Sequence, residues 1–311
     1  MVMDPIGSIK IAKDTSFAML LEAHRRCWKV WIAELGDLRW RDGRPEARRR
    51  AARLRDDPAG WFEFVDSRDG ALDDIDLILM RKDPPVDAEY LYATHWLDRA
   101  KAAGCRVYND PQSLRDWNEK LATSLFPQCC APTLVSRCIA TLREFVREQG
   151  TVVLKPLDGM GGVSVFRVAH DDPNLNVILE TLTANERRQT MAQRYIEAIR
   201  DGDKRILLVD GEPVPYALAR LPAVGEARAN LAVGGRGIGV PLGERDRWIC
   251  AEVAAEVRAR GLIFVGLDVI GDYLTEINIT SPTCVRELDA IYGLNIAGEL
   301  FDRLEQRLAP A

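Results

Sequence analysis

Gly261-Leu-Ile-Phe-Val-Gly-Leu-Asp268-Val-Ile270, then Gly271-Asp272, then Tyr273-Leu-Thr-Glu276-Ile-Asn278-Ile-Thr280-Ser-Pro-Thr-Cys284, is the stretch whose reading decides the fold. It reads as a buried apolar strand, a tight reversal and a return strand. Glu276 and Asn278 stand two apart, so they share one face of the return strand while Ile277 and Ile279 take the core face. The face of Asp268 depends on the length of the reversal, because a one-residue slip turns a side chain over. A two-residue loop sets Asp268 opposite Thr275, on the wrong side. A three-residue loop, Gly271 to Tyr273, sets it opposite Glu276, and Gly and Asp suit the positive backbone angles required. The three-residue loop is the reading adopted. Asp268, Glu276 and Asn278 then form an all-oxygen face for a hard cation, and so sparse a ligand set suits Mg²⁺ sharing its shell with nucleotide phosphates. Taken alone, three polar residues on a hairpin read more readily as a solvent-facing edge, so the rest of the chain has to decide.

At 311 residues, 47% hydrophobic and 29% charged, the chain has ordinary globular composition and room for two domains. No apolar run approaches the ~18 residues of a membrane span. The first residues lack a basic-then-apolar signal, so a soluble, cytoplasmic protein is expected. A net charge of −5 argues against a general binder of nucleic acid or anionic membrane. Seven scattered cysteines without a C-x-x-C, and only three histidines, read as reduced thiols. The arginine-rich stretch 41–55 is interrupted by acidic residues and reads as a solvated face or loop.

The first half alternates strands and helices, which predicts a parallel sheet wound by helices on both faces. Thr15-Ser16 caps a helix with Phe17, Leu20, Leu21 and His24 on one stripe; residues 29–35 and 75–80 are strands; Asp87 caps a helix ending before Gly104; Cys105 to Tyr108 is a further strand. Asp4 and Asp83 fall beyond carboxyl ends of strands, where such sheets bind ligands. A new unit begins at Asn118 with a helix, a strand at Thr133 to Ser136 and a helix from Thr141. Then Thr151-Val-Val-Leu-Lys155-Pro-Leu-Asp158-Gly159-Met160-Gly161-Gly162 gives a strand and a glycine-rich reversal whose backbone N–H groups can converge on an anion. No helix follows directly and the lysine comes first, so this is not a Walker loop. Met191-Ala-Gln193-Arg194-Tyr195-Ile196 links two lobes, Asp210-Gly211 turns a hairpin, and residues 221–237 form a long loop suited to a lid.

Two lysines (Lys120, Lys155), a glycine nest, two arginines on adjacent strands (Arg205, Arg220), an oxygen face and a lid are the parts needed to handle Mg-ATP. The segments Lys155-Pro-Leu-Asp-Gly-Met-Gly-Gly162, Asp201-Gly-Asp203-Lys-Arg205, Gly266-Leu-Asp268 and Thr275 to Cys284 resemble the ATP-grasp ligases. With Met3-Asp-Pro-Ile6, Asp14 to Glu22, Leu79-Met-Arg-Lys-Asp-Pro-Pro85, Pro111 to Asp116 and Asn118 to Leu121, the resemblance narrows to the prokaryotic glutathione synthetase family and spans nearly the whole chain.

The resemblance implies an α/β fold: an N-terminal parallel-sheet (pre-ATP-grasp) domain over residues 1–117, then a two-lobed α+β ATP-grasp domain over 118–311. The latter divides into a lid lobe, 118–195, and a catalytic lobe, 196–311. It implies ATP-driven condensation of γ-glutamylcysteine with glycine through an acyl phosphate, by a homotetramer. By matched motif, Lys120 and Lys155 hold phosphates and Asp158, Gly159, Met160, Gly161 and Gly162 cover them. Gln193, Arg194, Tyr195 and Ile196 contact adenine, and Asp203 belongs to the same nucleotide site. Asp268, Glu276 and Asn278 bind two Mg²⁺, with Mn²⁺ able to substitute. Arg205 and Arg220 steady the reacting oxygens, while Asp83, Ser281, Thr283 and Arg286 line the peptide pocket.

One departure stands out. The family's chains carry several apolar residues ahead of Met-Asp-Pro, and here only Met1-Val2 precede Met3, so a weakened N-terminal domain is expected. Cys27, where the family has glycine, is also atypical. Two other readings stay open: a different ATP-grasp carboxylate–amine ligase, and a nucleotide-binding protein without catalysis.

Overall fold

The computed structural model describes residues 1–221 and 236–309. In chain order its helices are α1 (Thr15–Arg25), α2 (Ala88–Ala102), α3 (Pro111–Asp116), α4 (Ile139–Gln149), α5 (Leu175–Thr183), α6 (Glu244–Ala259), α7 (Val285–Tyr292) and α8 (Ile296–Leu308). The N-terminal strands are β1 (Trp31–Ile32), β2 (Leu38–Arg41), β3 (Arg44–Leu54), β4 (Phe62–Ala71), β5 (Leu77–Leu79) and β6 (Arg106–Tyr108). Then follow β7 (Thr133–Ser136), β8 (Thr151–Pro156), β9 (Phe166–Ala169) and β10 (Thr190–Arg194). The last are β11 (Asp203–Val209), β12 (Glu212–Leu221), β13 (Arg236–Pro241), β14 (Phe264–Ile270) and β15 (Tyr273–Asn278).

The last five strands form one antiparallel sheet in the order β13-β12-β11-β14-β15. The second half of β11, Ile206 to Val209, is a continuous apolar run because both its faces are covered. Ile206 and Leu208 join a core with Ile249, Val253 and Val257 of α6, while Leu207 and Val209 join Leu288, Leu300 and Leu304 of α7 and α8. The first of these cores continues into the N-terminal half through Tyr90, Leu97 and Val107. The middle unit is a four-stranded sheet, β7-β10-β8-β9, covered by α4 and α5 around Leu142, Val146, Leu154 and Leu179.

The hairpin β14–β15 reaches the expected pairing by a different route. Ile270 pairs with Tyr273 and Val269 with Leu274, so the loop is the two residues Gly271-Asp272 and not three. The register then shifts, and Asp268 pairs with Glu276. Thr275 is the extra residue of a β-bulge, which restores the parity that the short loop lost. Its hydroxyl donates to the Asp268 carbonyl at 3.1 Å. The turn needs glycine twice over: Gly271 has φ +56, and a Cβ there would lie 2.9 Å from that of Ala198.

The N-terminal half departs further from expectation. Its parallel sheet is small: β5 pairs with β6, and Val2 bridges Met80 and Ala33, while of residues 29–35 only β1 is strand. The arginine-rich stretch is no loop. It forms β3, paired with β1, β2 and β4 in an antiparallel sheet. Ala47, Ala52 and Leu54 point inward, while the arginines find remote carboxylates: Arg50 with Glu34 and Asp37, Arg44 with Asp73, Arg53 with Glu63. Arg49 and Arg68 also stack on Trp31. Asp14, not Thr15 or Ser16, caps α1, accepting from the Phe17 N–H at 2.6 Å, and His24 lies exposed off the buried stripe. The helix expected from Asn118 is a 3-10 turn, Leu121–Leu125.

Candidate active site

Where the four-stranded sheet β7-β10-β8-β9 meets the large sheet, two cavities share a wall. The narrower, of 130 Å³, is lined by Lys120, Lys155, Gly159, Met160, Gly161, Gly162, Gln193, Arg194, Tyr195, Ile196, Asp203, Asp268 and Glu276, among others. The wider, of 550 Å³, is lined by Asp83, Arg205, Arg220, Asn278, Ser281, Thr283 and Glu287 among others, and it shares Gly159, Met160, Gly161, Asp268 and Glu276 with the first. The three hairpin residues singled out by spacing therefore do come together. Asp158 does not line either cavity, and the lid expected over 221–237 falls mostly outside the described residues.

The floor is a buried chain of alternating charges on three adjacent strands. Asp203 pairs with Arg220 across β11–β12, and Arg205 with Asp268 across β11–β14. Arg205 grips Asp268 with two hydrogen bonds, at 2.5 and 3.1 Å, and Arg220 reaches the same carboxylate at 3.0 Å while also pairing with Asp203. Burial opposes the Asp268 charge, but the two guanidinium groups outweigh it and hold the carboxyl far below its usual range. Asp203 goes the other way: burial raises its pKa against the pull of Arg220, and neighbouring Asp268 adds to the rise. One Asp203 oxygen, Oδ1, is buried without a hydrogen-bond partner.

Above this floor stands Glu276, 3.6 Å from each of the Lys120 and Lys155 ammonium groups. Burial lowers the Lys155 pKa, and Glu276 opposes the shift. Lys155 donates to the carbonyl of bulged Thr275 at 3.3 Å, so the irregularity that sets the register also anchors a lysine. Lys120 donates to the Gly159 carbonyl, tying it to the glycine-rich turn. In that turn a Cβ on Gly159 would lie 2.8 Å from the Pro156 ring.

The wider cavity draws on both halves of the chain. Asp83 accepts from the Ser281 hydroxyl, and Asp4 accepts from the Asp83 N–H at 2.9 Å and pairs with Lys82. Arg286 is elsewhere engaged: both oxygens of Asp56 hold it, and it lines neither cavity. Among the charged residues in or behind this wall that had no assigned role in the sequence, three stand out. Arg81 is buried and donates to the Ser16 hydroxyl and to the Pro282 carbonyl, joining the two halves; burial lowers its pKa to about 10 against Asp14 and Asp83. Glu287 lines the cavity with a buried oxygen lacking a partner, its pKa raised by burial. Lys13 lies on the same wall. Helical spacing from Cys284 is the only signal that could have found Glu287.

The donor set fits a divalent cation. Asp268, Glu276 and Asn278 offer oxygen alone, and among the described residues no cluster of three His, Cys, Asp or Glu could hold a metal unaided. Such a site suits a hard cation that completes its shell with phosphate oxygens.

Comparison with known proteins identifies the family. Residues 1–115 match the model of the prokaryotic glutathione synthetase N-terminal domain, and residues 119–293 that of the prokaryotic glutathione synthetase ATP-grasp domain. The chain is 62% identical over 304 residues to a glutathione synthetase of Xanthomonas axonopodis pv. citri, covering 98% of this chain and 96% of the relative. It is 58% identical to one from Pseudomonas syringae pv. tomato, covering 99% and 96%. Among solved structures, the D-cycloserine synthetase DcsG superposes with a TM-score of 0.68 at 17% identity over 99% of both chains. The ATP-grasp ligase PsnB, complexed with minimal precursor, Mg and ADP, gives 0.63 at 14% identity over 99% of this chain and 97% of that one. These last two speak for the fold alone. The chain belongs to the prokaryotic glutathione synthetase family.

Proposed function

We propose that the chain is a glutathione synthetase, joining γ-glutamylcysteine to glycine while ATP becomes ADP and phosphate. The observation that carries this is the shared wall: a cavity lined by Lys120, Lys155 and the glycine turn and a wider second cavity meet at Asp268, Glu276 and that turn, with Arg205 and Arg220 on the wider side.

In this reading the nucleotide occupies the narrower cavity. Lys120, Lys155 and the turn Asp158 to Gly162 hold its phosphates, Gln193 to Ile196 meet adenine, and the unpartnered oxygen of Asp203 accepts from a nucleotide hydroxyl. Asp268, Glu276 and Asn278 would hold two Mg²⁺, or Mn²⁺ in their place. The metal supplies neutralisation of phosphate charge. The peptide occupies the wider cavity, held by Asp83, Ser281 and Thr283, with its ammonium at Glu287 and a carboxylate at Lys13.

The cysteinyl carboxylate attacks the γ-phosphorus and ADP leaves, forming a mixed anhydride. Glycine's neutral amine attacks the activated carbonyl, and phosphate departs, taking up the proton the amine sheds as the amide forms. Arg205 and Arg220 are planar cations with donors aimed where oxygen charge grows, first on the phosphoryl group and then on the tetrahedral oxyanion. Water must be kept out, because an acyl phosphate hydrolyses.

ADP release measured with γ-glutamylcysteine, glycine, both or neither tests the reading. Release that needs both supports it; release driven by a different amino acid pair, or none at all, contradicts it. The family resemblance extends the reading to a cytoplasmic homotetramer, for which sedimentation equilibrium should return four chains.

A further inference from the structure

We infer that Glu119 is a positioning residue that ties the nucleotide half of the site to the acceptor half; the inference rests on the ligase reading above. Three consecutive residues reach three different places. Asn118 accepts from the Lys120 and Leu121 N–H groups and donates to the Leu157 carbonyl at 3.0 Å, at the start of the glycine turn. Lys120 faces Glu276 and the Gly159 carbonyl. Between them Glu119 turns the opposite way, into the large sheet.

Its backbone carbonyl accepts from the Ile277 N–H at 2.9 Å, extending β15 by one rung. Its Oε1 accepts three hydrogen bonds, from the Ile279 N–H at 2.8 Å, the Thr280 N–H at 3.0 Å and the Thr280 hydroxyl at 2.9 Å. The chain runs straight on to Ser281, held by Asp83, and Pro282, held by Arg81. One carboxylate oxygen thus fixes the exit of β15 at the point where metal-face residues give way to acceptor-cavity residues. Glu119 itself lines the acceptor cavity, while its neighbour Lys120 lines the nucleotide cavity.

Removing the oxygen leaves two backbone N–H groups unpaired inside the site. The exit segment and Lys120 then lose their common anchor. Binding at both cavities should suffer together, although Glu119 is not among the groups placed on nucleotide or metal.

The test is steady-state kinetics and Mg-ADP titration on the full chain carrying Glu119→Ala, Glu119→Gln or Glu119→Asp. In E119A the KM values for ATP and for γ-glutamylcysteine should both rise at least about fivefold. E119Q, which keeps the accepting oxygen, should return both to within about twofold of the native chain. E119D, one methylene short, should behave like E119A, and serves if the alanine variant does not fold. A purely structural residue would lower thermal stability and leave both KM values unchanged, which would overturn the inference. So would a rise in only one of them. A native chain that fails to join γ-glutamylcysteine and glycine sinks the ligase reading instead, and the ADP affinities of the variants then still report whether Glu119 positions the nucleotide side.

Discussion

Replacing Asp268 by Asn removes one charge from a buried set of four and leaves the shape almost unchanged. Asp268 is held by both Arg205 and Arg220, and all three side chains are nearly inaccessible. Removing one member of a buried ion pair typically costs about 3–5 kcal/mol, because the partner's charge remains without compensation. Here Arg220 keeps Asp203, while Arg205 has no other carboxylate within ion-pairing distance among the described residues. The loss should therefore fall in that range. The sign with pH follows from the depressed pKa: a carboxyl held below its unfolded value contributes fully above that value, near 4, and its contribution is lost as pH falls through the folded value. The native and D268N chains should thus differ by several kcal/mol in urea denaturation at pH 7 and converge as the medium becomes strongly acidic. Activity should fall by at least about a hundredfold, as expected when a preorganised charge is lost from a reacting centre. An Asn variant as stable as the native chain at pH 7, or one retaining most of its turnover, would refute the reasoning.

Other substitutions probe separate parts of the account. Arg286→Ala should leave the KM for γ-glutamylcysteine within about twofold and cost no more than ~1 kcal/mol, since its partner Asp56 is half exposed; peptide-substrate kinetics and a melting curve check this. Cys27 sits at φ 60 just past α1, where its N–H and that of Trp28 close the helix onto the His24 and Ala23 carbonyls. Cys27→Gly should accordingly stabilise the fold by about 1 kcal/mol, read from a denaturation midpoint. Gly266→Ala places a Cβ 2.8 Å from Pro282 and 3.0 Å from the Arg205 side chain, so kcat should drop more than the KM for ATP rises. Leu154→Ala empties a fully buried position between the four-stranded sheet and α4 and α5 and should cost about 2–5 kcal/mol in denaturation experiments.

Much of the site was legible because its chemistry is local. The two-residue spacing of Glu276 and Asn278, the lysine ahead of the glycines and the arginines on successive strands of one sheet each survive in the structure as read. The reversal was misread because a β-bulge has no signature in residue type: Thr275 looks like any strand residue, and only the paired strand shows that it is surplus. Strands β2, β3 and β4 were missed for a related reason. Clustered arginines broken by alanines and a glutamate read as a solvated run until the carboxylates that pair with the arginines, up to 29 positions away, are placed beside them. Glu119 and Arg81 lie further beyond reach, since their partners stand 161 and 201 positions along the chain. Arg286 is the converse case: expected from its place beside Ser281 to Cys284 to line the peptide pocket, it is turned by helix α7 toward Asp56.

The most direct measurement is anomalous diffraction from crystals grown with ADP and Mn²⁺, the manganese marking where the divalent cation sits. The account expects density within about 2.2 Å of oxygens from Asp268, Glu276 and Asn278, bridging them to the nucleotide phosphates between Lys120 and Lys155. Manganese bound away from these three side chains, or phosphates lying outside the cavity they share with the glycine turn, would contradict it.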